Sequence, residues 1–185
     1  LGIYYLSQST EKKGENKPKG YFINVAEIEK ALDVKSISLH TEIICRFETV
    51  DEKGNKVGHA KYPTSHTILA NRLYNFKSVF PHSSIFFRKD IIIKEGSYNE
   101  NFIRSQDYDL YLRLSTKYKI ASIDKPLLKL RLNFSGPTYS DDNQLLFGLM
   151  ALLSHYRRER GLEDYSNNNN NNNWQSFKSR VYEWS

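Results

Sequence analysis

Residues 105–114 read Ser105-Gln106-Asp107-Tyr108-Asp109-Leu110-Tyr111-Leu112-Arg113-Leu114, and this stretch decides how the chain is to be understood. Apolar residues at Leu110, Tyr111, Leu114 and Tyr118 recur at helical spacing, which predicts a helix from Ser105 to about Tyr118. Asp107 precedes them by three, four, seven and eleven residues and therefore shares their face near the helix start. Burial there disfavours the carboxylate while the helix N-terminus favours it, so the group suits a general base working near neutral pH. Asp109 has Arg113 as its i+4 partner on a flank of the helix and is expected to be mainly structural. On the residues alone, either aspartate could equally cap free backbone N–H groups in the first turn.

Outward from this helix the elements are short. Ile43 to Val50 and Lys56 to Tyr62 read as two strands joined by the turn Asp51-Glu52-Lys53-Gly54-Asn55. Ser83 to Phe87 reads as a strand, followed by a short helix from Arg88 to Glu95 that Gly96 stops. Lys119 to Ile123 and Leu127 to Leu132 read as two strands parted by Asp124-Lys125-Pro126. Ser140 caps the longest helix, whose stripe of Leu145, Leu146, Leu149, Leu152, Leu153 and Tyr156 is expected to face the core.

The ends differ in character. Residues 1–40 read as a polar lead-in, a loop from Ser7 to Gly20 and then a short helix opening at Asn24 with Glu27 in capping-box position. Residues 162–173 form an asparagine-rich linker. In the tail, 174–185, Trp174, Phe177, Val181 and Trp184 fall at amphipathic helical spacing, which suits docking on the domain or contact with a membrane surface.

Composition narrows the classes. The 185 residues carry a net charge of +6 without a run of like charges, which gives no specific nucleic-acid signature. Cys45 is the lone cysteine, so no intramolecular disulfide forms, and a reducing, cytoplasmic setting is expected. His40, His59, His66 and His155 show no metal-ligand spacing. The first residue is Leu1, not Met, which suggests a fragment or a processed product.

Several segments, taken in order, resemble family-2 nucleotide-sugar glycosyltransferases. They are the hairpin region Val50 to Gly58 with Lys61-Tyr62-Pro63-Thr64, then His82-Ser83-Ser84-Ile85-Phe86-Phe87-Arg88, then Gly96-Ser97-Tyr98-Asn99-Glu100-Asn101-Phe102. Gln106 to Leu114 and Pro126-Leu127-Leu128-Lys129-Leu130-Arg131 complete the series. The resemblance implies an α/β chain, a partial GT-A fold with a mixed sheet flanked by helices, and an acceptor-side part over residues 41–161. It implies an inverting hexosyltransferase of polysaccharide biosynthesis, moving a sugar from a nucleotide-diphosphate donor to a carbohydrate or glycolipid acceptor. Asp107 takes the place of the catalytic base, with His82, Gln106, Asp109 and Arg113 as substrate-binding candidates.

The resemblance also implies a divalent cation, Mg or Mn, with ligands mostly outside this chain, since no Asp-x-Asp or Asp-Asp pair follows an apolar first strand. Gln106 stands where the family usually has Glu, and Asn133 where it often has a histidine. The alternative is a non-catalytic carbohydrate-binding or interaction module on the same fold. In either case, a location at the cytoplasmic side, free or peripheral to a membrane, is expected.

Overall fold

Phe47 and Ile44 mark the two faces of a mixed sheet around which the computed structural model is organised. It describes residues 22–23, 42–77, 81–102, 104–131, 143–164, 166 and 179. In chain order the elements are β1 (Phe22–Ile23), β2 (Glu42–Val50), β3 (Lys56–Ala60), α1 (His66–Tyr74), a 3-10 turn (His82–Ser84) and β4 (Ile85–Phe87). They continue with α2 (Lys89–Lys94), α3 (Gln106–Lys117), β5 (Ile120–Arg131) and α4 (Asn143–Glu159). The mixed α/β architecture is compatible with part of a nucleotide-sugar transferase fold.

Strand β2 is central. It pairs in parallel with β5 along one edge, while its other edge takes β4 at Glu42 to Ile44 and β3 at Phe47 to Val50, both antiparallel. β1 adds an antiparallel edge beyond β5, pairing Phe22 with Lys129 and Ile23 with Leu128. The β2–β3 hairpin follows its turn chemistry. Asp51 Oδ1 accepts from the Asn55 amide at 2.8 Å, and Gly54 adopts φ +89°. Arg131, the last residue of the Pro-Leu-x-x-x-Arg segment, donates to the carbonyls of Asp51 and Glu52 and so pins that turn to β5.

Alternation divides the core. Ile44 and Ile85 enter a cluster with Leu69, Leu73, Leu112 and Phe147 beneath α1, α3 and α4, whereas Phe47 and Phe86 join Leu127 and Leu128 in a second cluster on the other face.

Three sequence expectations change. The two strands expected either side of Asp124-Lys125-Pro126 are one strand, β5, because register slips where Cys45 faces Ile123, Arg46 faces Pro126 and Phe47 faces Leu128. A bulge absorbs the interruption, and a proline is tolerated at such a point. Asp124 is also paired with Arg46 there. Helix α1 was not foreseen, since only Leu69, Ala70 and Leu73 are buried on it and Ile68 is 52% exposed, too short a stripe to show a period.

The face of α4 also differs. Leu146, Phe147, Met150, Ala151, Ser154 and His155 are buried, whereas Leu145, Leu153 and Tyr156 are 57%, 42% and 38% exposed. The helix is therefore rotated toward its smaller and more polar residues. Close packing accompanies this: Gly148 meets the ring of Phe76, just beyond α1, so tightly that a Cβ there would lie 2.7 Å from it. The expected lead-in helix, the Ser140 cap and the asparagine run lie outside the described residues, as does the tail apart from Ser179.

Candidate active site

Ser105 opens α3 in a left-handed conformation, φ +56°, a strained position for a residue with a Cβ. Its hydroxyl accepts from Gln144 Nε2 at 3.0 Å and lies 3.1 Å from the Gln144 carbonyl, so the start of α4 braces the start of α3. Gln106 and Asp107 follow in the first turn, both half-buried. Asp107 Oδ1 accepts from the Tyr108 amide at 2.8 Å.

Opposite this turn stands His82, brought in by the 3-10 turn ahead of β4. Its Nδ1 shares a hydrogen bond of 2.7 Å with Tyr111 Oη, and its Nε2 lies 3.3 Å from Tyr98 Oη. The ring stacks on Tyr111 at 6.3 Å, and Tyr111 stacks in turn on Phe87 at 6.0 Å. Burial pulls His82 below the ordinary histidine range, although the charge of Asp107 works the other way. Burial raises the Tyr98 phenol well above its usual range, and Asp107 adds to that. The charge of Asp107 thus acts on a hydrogen-bonded imidazole and phenol whose burial favours their neutral forms.

Proton counting constrains the chain Tyr111–His82–Tyr98. A neutral imidazole donates through one ring nitrogen and accepts through the other. One tyrosine must then donate to His82 while the other receives its N–H.

The second aspartate is placed differently from the expectation. Asp109 is fully buried rather than on an outer flank of α3. Arg113 Nε donates to its Oδ2 at 2.9 Å and Arg158 Nη2 to its Oδ1 at 3.0 Å. Arg113 also donates to the Glu95 and Ser97 carbonyls, each at 2.5 Å. Both residues are thus engaged with the fold, next to the turn that carries Asp107. The expected pairing of Asp109 with Arg113 is present, and Arg158 of α4 is its second partner.

Other aromatic and histidine candidates separate cleanly. Tyr108 donates to the Leu73 carbonyl at 2.6 Å and packs edge-on against Phe76, away from His82. His155 is buried and stacked on Tyr74 at 5.0 Å. His66 accepts the Ile120 amide at 3.1 Å. Among the described residues no three His, Cys, Asp or Glu side chains come together in a way that could hold a cation. The described residues alone therefore form no cage for the divalent metal implied by the resemblance, whose ligands are expected mostly outside this chain.

Comparison with known proteins adds a lineage. No family profile matches the chain. Over 65 residues, 35% of its length, it is 38% identical to the O-antigen biosynthesis glycosyltransferase WbnJ of Escherichia coli. The chain is related to a glycosyltransferase. It spans about a quarter, 24%, of the length of that relative. No described helix is long and apolar enough to cross a membrane.

Proposed function

We propose that the chain forms the acceptor-side part of an inverting glycosyltransferase, with Asp107 as general base. What supports this reading is the hydrogen-bonded pair of His82 and Tyr98, on both of which the charge of Asp107 acts. An acceptor hydroxyl entering this place gives its proton to Asp107 as its oxygen attacks the anomeric carbon. The bond from that carbon to the nucleoside diphosphate breaks, and the electron pair leaves with the diphosphate. A single displacement of this kind inverts the anomeric centre. The Tyr98 hydroxyl, held by neutral His82, orients a sugar hydroxyl without competing for the proton, and Gln106 adds an amide in the same turn as Asp107.

The acceptor belongs to the class of growing polysaccharides or their lipid-linked forms, in line with the relative's role, and the nucleotide sugar implies a cytoplasmic site of action. Asp109 and Arg113 contribute by holding the site together. The sugar donor's diphosphate and any cation are bound by residues other than those described, so no step above runs through a metal.

Replacement of Asp107 by Asn in the complete protein is expected to lower sugar transfer to a matched acceptor by about 10²–10⁴-fold. Turnover near normal would overturn the assignment. Retained sugar binding with no transfer in the unaltered protein would favour a carbohydrate-binding module instead.

A further inference from the structure

Tyr98 reaches His82 from a loop with little secondary structure of its own, between Gly96 at φ +83° and Ser97 at φ +56° on one side and Phe102 on the other. Such a loop needs external restraint to keep a hydroxyl in place, and two restraints are visible. At its entry, Arg113 donates to the carbonyls of Glu95 and Ser97. The Glu95 carboxylate additionally accepts from Lys117 Nζ at 2.6 Å and Tyr118 Oη at 2.7 Å.

At its exit the partners come from the far end of the chain. Asn99 Nδ2 donates to Ser166 Oγ at 2.9 Å, and Asn101 Nδ2 donates to the Ser166 carbonyl at 2.6 Å. Ser166 is itself fixed, because its amide donates to Asp164 Oδ1 at 2.8 Å and Arg158 Nη1 donates to Asp164 Oδ2 at 2.5 Å. Arg158 then reaches Asp109 with its other terminal nitrogen. Both restraints therefore end on the two oxygens of one buried carboxylate, two residues beyond Asp107 on the same helix.

We infer that Arg158, with Asp164 and Ser166, is a positioning group for the acceptor site: it clamps the Tyr98 loop to the helix that carries Asp107, with Asp109 as the shared anchor. The clamp's mechanical part stands on the hydrogen bonds alone, while its effect on acceptor binding rests on the function proposed above. Its members touch no reacting atom. A clamp of this kind governs how often Tyr98 meets a sugar hydroxyl, so loosening it affects acceptor affinity more than the chemical step.

The double variant Asn99→Ala/Asn101→Ala tests this with little risk to folding, since Asn101 is exposed and Asn99 only half-buried. In the complete protein, acceptor KM is expected to rise about tenfold with kcat within about twofold and an unchanged pH profile. Arg158→Met should act in the same direction more strongly, and Arg158→Lys, which retains charge but not the fork, should recover part of the loss. Hydrogen exchange supplies the readout that does not depend on transfer. Amides 97–102 should exchange faster in Asn99→Ala/Asn101→Ala while those of β2 and β5 stay protected. Unchanged exchange in that loop would overturn the clamp. Faster exchange with unaltered acceptor KM would overturn its role at the site, and loss of the Asp107→Asn effect would instead count against the proposed function while leaving the clamp intact.

Discussion

Asp107 and Asp109 are two residues apart and so lie about 200° apart around α3. One carboxylate consequently faces His82 and Tyr98 while the other enters the fold to meet two guanidiniums. Their replacement should have opposite signatures. Asp109→Asn keeps the shape but leaves Arg113 and Arg158 against a neutral amide in a fully buried position, where disrupting an ion pair costs about 3–5 kcal/mol. Asp107→Asn should change stability by less than about 1 kcal/mol while abolishing most transfer. Urea unfolding of the two variants side by side measures the contrast, and equal destabilisation would refute it. The sequence pattern placed both residues on one helix and paired Asp109 with Arg113. It could not reveal the depth of Asp109, because Arg158 lies 49 residues downstream and no local spacing announces such a partner.

Among the elements, α3 and the β2–β3 hairpin were legible because each advertises itself locally, α3 by its run of apolar residues and the hairpin by Asp51, Gly54 and Asn55. Helix α4 shows the limit of that logic. Leucines dominate its apparent stripe, yet its buried face includes Gly148, Ala151 and Ser154, small residues that carry almost no hydrophobic signal. The bulge in β5 likewise depends on a strand distant in sequence. Truncation separates the two faces of α4 experimentally. Leu146→Ala should cost about 2–5 kcal/mol, and Leu153→Ala well under half of that, as read from urea midpoints. Equal costs would mean that the leucine stripe packs inward after all. For the site, the resemblance supplied Asp107 and His82, whereas the fixing of Tyr98 by Ser166 required the fold.

At the scale of the whole molecule, two imidazoles, the half-buried His82 and the buried His155, set an acid limit. Burial depresses both His82 and His155 below the ordinary 6.5, so in the unfolded chain they take up protons at a higher pH than in the folded one. Their contribution to stability is fully present above about pH 6.5 and is lost as pH falls through the lower folded values. The free energy of unfolding should therefore decline below about pH 6.5, and His155→Phe, which keeps a ring against Tyr74, should flatten that decline. An identical pH slope in the variant would exclude His155 as a source.

The order of the strands also bears on how the molecule comes into being. The β2–β3 hairpin is complete at Ala60, but the parallel partner of β2 ends at Arg131, about 70 residues later. At translation speeds of about 5–20 residues per second, one edge of β2 stays open for several seconds on the ribosome. Arg158 and Ser166 emerge later still, so the nascent chain has the helix of Asp107 well before it has the residues that hold the Tyr98 loop.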